Sequence, residues 1–176
     1  MKAWIVIVLL ALVVGYFWQS NQGNDFDSGW NAWVGTVQGY GVGPDSVYPG
    51  SLGEQKALLN EMQSLQKTYT NPEFLEWVSL YGKGLRVQSL MLESQQHLIA
   101  SNKSTDCAPG SEFRQAIDSW SEANRLNEEW LVETVSRTGS ASYLSKTQPY
   151  FSPMESIHVA QEDLLKEGQQ QFDQFC

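Results

Sequence analysis

The chain has 176 residues, 20 acidic against 11 basic side chains, a formal net charge of −9 and only two cysteines. That length suits one domain of ordinary size, with core enough to fold without several disulfides or a structural metal. The acidic balance and the absence of any lysine or arginine run argue against nucleic acid as a partner and against docking on anionic headgroups, since both demand clustered cations.

Residues 1–18, MKAWIVIVLLALVVGYFW, hold one lysine and then an uncharged apolar run from Ala3 to Trp18. As a helix that run rises about 24 Å, somewhat short of the roughly 30 Å hydrocarbon core of a bilayer. A signal peptide needs small residues just after the apolar stretch, but the run ends in Gly15, Tyr16, Phe17 and Trp18. Only Val13-x-Gly15 is a passable cleavage site. Trp4 and Trp18 bracket the run as interfacial aromatics do, which favours a single transmembrane anchor over a cleaved leader. Lys2 precedes the run, and Asp25 and Asp27 follow it with no basic residue until Lys56. The positive-inside rule then places Met1 in the cytoplasm and the bulk of the chain in the periplasm or extracellular space.

Residues 19–50 are rich in glycine and read as a connector. Within it Trp30, Trp33, Val34 and Val37 recur at helical spacing. With Tyr40 and Tyr48 they are candidates for a partner interface; packing on the main domain and lying in the membrane interface are the competing readings.

Residues 51–176 read as four amphipathic helices. The first, 52–69, carries Leu52, Leu58, Leu59, Met62, Leu65 and Tyr69 on one face. Asn71, Pro72 and Glu73 form a helix start, and Val78, Leu85, Leu92 and Ile99 keep a seven-residue spacing through Gly82 and Gly84. One long helix to about Ala100 follows. Ser111 caps a third helix over 112–137, with Phe113, Ala116, Ile117, Trp120, Ala123, Trp130, Leu131 and Val135 inward. A connection holding Tyr143, Leu144, Tyr150 and Phe151 comes next. Ser152-Pro153-Met154-Glu155 then reads as a capping box opening a fourth helix with Ile157, Ala160, Leu164, Leu165, Phe172 and Phe175 inward. The fold predicted is all-α, an N-terminal transmembrane helix followed by an up-down-up-down four-helix bundle.

That topology brings the loop bearing Cys107 and the final residue, Cys176, to one end of the bundle. In an oxidising exterior the pair is expected to form a disulfide.

Little in the sequence carries catalytic chemistry. Glu155 and His158 have the Glu-x-x-His spacing of di-iron bundles, but His97 has serine three residues earlier, so no second copy exists and no metal is expected. A nucleophile elbow is missing, LYGKGLR lacks phosphate-loop spacing, and Lys83 reads as solvated. Glu128 and Glu129 are adjacent and splay apart. No cofactor is expected. Gln88, Gln95, Asn124 and Asn127 fall on or beside the apolar stripes as a possible polar layer.

The expected function is a non-catalytic, membrane-anchored binding or scaffolding subunit whose partner is another membrane or envelope protein. A ligand-binding or sensory accessory bundle is the alternative.

Overall fold

The computed structural model describes residues 25–135 and 137–176. It comprises α1 (Phe26–Gln38), α2 (Leu52–Thr68), α3 (Pro72–Ala100), α4 (Glu112–Val135) and α5 (Ala141–Phe172). Among the described residues the only β pairing is an isolated bridge between Gly43 and Ser46. No helix among them is long and apolar enough to cross a membrane; the apolar run Ala3 to Trp18 lies outside the described residues.

Local caps set the starts of α2, α3 and α4, and those of α3 and α4 are the ones expected. Ser51 and Glu54 close a capping box on α2, Asn71 accepts from the Phe74 N–H with Pro72 at the first helical position of α3, and Ser111 Oγ accepts from the Arg114 N–H. Each such cap stabilises its helix by about 1 kcal/mol. Gly82 and Gly84 leave α3 unbroken.

The start of α5 departs from expectation. Ser152-Pro153-Met154-Glu155 opens nothing; Ser140 caps the helix by accepting from the Tyr143 N–H, and Pro149 and Pro153 lie inside it. Glu73 of α3 pins the cap, accepting from Ser140 Oγ at 2.8 Å. The residues taken for a connection are therefore the first turns of α5. Two interior prolines cost about 6 kcal/mol together. Tyr143, Thr147, Tyr150, Phe151, Met154 and His158 form one buried stripe running past both. At roughly 1.5–3 kcal/mol for each large apolar side chain, burying that stripe outweighs the lost N–H groups.

The segment read as a connector is also part of the core. Phe26, Trp30, Trp33 and Val37 of α1 are buried in the same cluster as Phe74, Trp77, Tyr81, Tyr143 and Tyr150. Trp33 packs on Tyr81 with ring centroids 5.1 Å apart and on Tyr150 at 5.0 Å, so α1 lies along the seam between α3 and α5. Gly29 allows this approach, because a Cβ there would stand 2.5 Å from the Phe74 ring. At the near end Asp27 pairs with Lys146 at 2.7 Å.

Above α1 the seam is covered by residues 42–50, and α2 begins level with the later part of α3, where Lys56 pairs with Glu93 at 3.0 Å. The last turns of α3 consequently have no α2 beside them. Ile99, Leu164 and Phe175, read as inward-facing, are 73%, 52% and 60% exposed there, and at the opposite end Val135 is 89% exposed. Ala160 is also exposed.

Cys107 and Cys176 are joined by a disulfide, with Cα atoms 5.8 Å apart. The antiparallel order of α2 to α5 brings them together at the end of the body away from Asp27.

Candidate functional site

Midway along the α3–α5 seam the chain brings together Tyr48, Gly84, Asn127, Trp130 and His158. Their meeting depends on Gly84: a Cβ there would stand 2.7 Å from His158 Nε2 and 3.2 Å from Trp130 Nε1, and closer still to the Tyr48 hydroxyl. His158 is fully buried and stacks on Trp130 with centroids 4.2 Å apart. Trp130 in turn donates its indole N–H to the Leu80 carbonyl at 3.0 Å.

The hydrogen bonds assign the imidazole tautomer. Asn127 Nδ2 donates to the His158 carbonyl at 3.2 Å, which turns Asn127 Oδ1 toward His158 Nδ1 at 2.7 Å. Nδ1 therefore carries the proton and donates. Nε2 is left to accept from the Tyr48 hydroxyl at 2.8 Å. Burial pushes the His158 pKa down to about 4 and raises that of Tyr48 well above its usual value, with Tyr81 adding to it. Both groups are neutral at pH 7, and both ring nitrogens are committed to partners inside the protein. The cluster thus clamps the 42–50 segment onto α3, α4 and α5.

Beside Tyr48 the surface opens into a cleft of about 420 Å³, bounded by residues 45–50, Gln55 of α2, Gln88 and Leu92 of α3, and Pro153 and Ile157 of α5. Gln55 is buried and satisfied, donating to the Pro49 carbonyl at 2.8 Å and accepting from Ser89 Oγ at 3.1 Å. Gln88 forms a reciprocal amide pair with Gln161, at 2.7 and 3.1 Å. Asp45 and Ser46 stand exposed at the rim.

These positions redistribute the candidate residues. Of the interface set, Trp30, Trp33 and Val37 are core residues with no face left for a partner, and Val34 and Tyr40 are half-buried against that core. Tyr48 is half-buried, with its hydroxyl in the clamp. Of the polar set, Gln88 and Asn127 each meet α5 and do not meet each other, Asn124 is half-buried, and Gln95 faces solvent. The reason is again the missing length of α2, which leaves nothing among the described residues packed over Gln95. Lys83 is not free in solvent: it pairs with Glu129 and Glu133 of α4. Among the described residues no group of three or more His, Cys, Asp or Glu side chains is placed to hold a metal ion.

His158 and Gly84 were not recognised from sequence as members of a site. The signal for His158 was present in its spacing, four residues after Met154 and eight after Tyr150, which puts it on the buried stripe of a helix begun at Ala141. A helix begun at Pro153 leaves Tyr143, Thr147 and Tyr150 outside it and cuts that stripe down to Met154 and His158.

No protein-family model matches the chain, and no curated protein or solved structure matches it either.

Proposed function

We propose that the chain is a non-catalytic binding subunit, tethered to a membrane by its N-terminal segment, whose helical body lies outside the cytoplasm and engages another membrane or envelope protein. The observation that carries this reading is the Cys107–Cys176 disulfide, a bond that persists in oxidising compartments and is rare where glutathione keeps thiols reduced. It accords with the asymmetry around the apolar run, Lys2 before it and Asp25 and Asp27 after it.

The packing of α1 sharpens the proposal. The body begins at Asp25, which caps α1, so the link from Trp18 spans at most about 25 Å. With Ala3 to Trp18 in a bilayer, the near end of the body rides close to the surface and the disulfide end points away from it. The test is alkaline extraction and protease accessibility of the full chain in its native membranes. Retention in the membrane pellet and digestion from the extracytoplasmic side alone are expected. Quantitative release as a soluble cytoplasmic protein would overturn the proposal.

The cleft beside Tyr48 and Gln88 favours a second reading, binding of a small polar ligand. Native mass spectrometry of the purified chain tests it: a retained small molecule lost in Gln88→Leu supports this reading, and mass identical to the bare chain in both forms removes it.

A further inference from the structure

The α3–α5 seam is occupied in sequence along its length. Trp30 and Trp33 of α1 fill it at the near end, Tyr48 fills it at Gly84 and His158, and the polar cleft follows at Gln88. Beyond the Gln88–Gln161 pair it opens again, into a groove of about 290 Å³ whose walls include Leu98 of α3, Leu164 and Phe172 of α5, and Phe175. Phe113 and Trp120 of α4 contribute further apolar surface. Along α5 the wall includes Leu164, Gly168 and Gln171, which share one helix face, and Phe175 continues it past the helix end, a surface of the kind that accepts another helix.

We infer that this distal groove is the docking site for a lysine- or arginine-rich amphipathic helix of a partner protein. The inference rests on the reading of the chain as a binding subunit and names the partner's chemistry. α1 shows in cis what a helix seated in this seam looks like, with large apolar anchors set between α3 and α5. Charge selects the rest. Glu167 is part of the groove wall and forms no ion pair among the described residues, and Asp163 lies exposed one turn earlier on α5. A cationic flank would meet these carboxylates.

Two other occupants fit less well. On the tethered reading the N-terminal apolar run, Ala3 to Trp18, lies in the bilayer, and the groove begins about 27 Å along α5 from Lys146, which holds Asp27 at the near end. A second copy would set two acidic rims against each other in chains of net charge −9 each. Phe175 adjoins Cys176, so the disulfide fixes one wall of the groove and docking should weaken when it is removed.

The test uses the full chain in phosphatidylcholine nanodiscs, uncharged overall so that a cationic peptide is not drawn to the lipid. Two synthetic 14-residue helices share one leucine stripe containing photoactivatable leucine; one carries lysine flanks and the other glutamate flanks. Crosslinks are mapped by mass spectrometry. The lysine peptide should label the groove around Leu98, Leu164 and Phe175 at least about tenfold more than the glutamate peptide, a margin of about 1.4 kcal/mol. Leu164→Asp, at a position already exposed, should reduce that labelling about tenfold, and Cys107→Ser should reduce it severalfold. Glu167→Lys should shift preference toward the glutamate peptide, whereas Glu155→Lys, the same charge change elsewhere on α5, should not.

Equal labelling by both peptides, labelling spread over other acidic surfaces, an equal response to the two lysine substitutions, or predominant chain-to-chain crosslinks would overturn the inference. Groove labelling by a chain that alkaline extraction releases would defeat the membrane tether alone. An embedded chain whose groove stays unlabelled would defeat the groove alone.

Discussion

Gly84 of α3 sits against the imidazole edge of His158 with no room for a single added carbon, the ideal Cβ position being 2.7 Å from Nε2. Gly82, two residues earlier and about 200° around the helix, faces the other way, and an added Cβ there meets nothing within 4 Å. Replacing a mid-helix glycine by alanine ordinarily gains about 1 kcal/mol, while overpacking a filled core costs about 1–3 kcal/mol. Gly82→Ala should therefore raise folding stability by up to about 1 kcal/mol, and Gly84→Ala should lower it by up to about 2 kcal/mol net. Equal effects at the two positions in chemical denaturation would contradict the packing described.

His158 makes stability depend on pH. Its folded pKa, pushed down to about 4 by burial, lies below the unfolded value of about 6.5. Above pH 6.5 both states hold it neutral. As pH falls from 6.5 toward 4 the unfolded chain takes up the proton first, so this group's contribution is lost across that window, on the order of 3 kcal/mol in all. Chemical denaturation between pH 7 and 4 should show the loss, reduced in His158→Gln, which starts less stable. An imidazole NMR resonance of His158 titrating near pH 6.5 in the folded protein would contradict the buried assignment.

Trp33 distinguishes core from interface. It is fully buried among Trp30, Trp77, Tyr81 and Tyr150, so Trp33→Ala should cost about 3–5 kcal/mol of folding stability in the purified chain. A partner surface would leave the isolated protein's stability nearly unchanged on the same substitution.

The disulfide closes a loop across a sequence separation of 69 residues, worth about 4 kcal/mol in the chain-entropy description. Replacing both cysteines by serine should destabilise the folded protein by up to that amount. Alkylation of the native protein without reductant should find no free thiol. Two reactive thiols would remove both the bond and the compartment argument built on it.

Several of these relationships were legible in the sequence. The caps at Asn71 and Ser111 announce two helices because capping is a local interaction. Pairing of Cys107 with Cys176 follows from counting helix reversals. Trp30, Trp33 and Val37 show their helical spacing plainly, but periodicity alone does not say whether an apolar face meets the chain's own core or another molecule. Pro153 misled because proline at a first helical turn and proline inside a helix look alike until the buried stripe from Tyr143 to His158 is traced across it. Ile99, Leu164 and Phe175 continue their apolar patterns past the point where α2 begins, and that shortfall is a tertiary fact no local pattern carries. The clamp of Tyr48, Asn127 and His158 joins three segments far apart in sequence, and beyond the spacing of His158 on its helix no local pattern announces it.

The central proposal, a tethered subunit that binds a protein partner outside the cytoplasm, is tested most directly by photocrosslinking the full chain in intact native membranes from a probe at Leu164, with one at Glu155 as comparison. The account predicts a stoichiometric adduct with one other protein from Leu164 and little from Glu155. Recovery of the uncrosslinked monomer from both positions would contradict it.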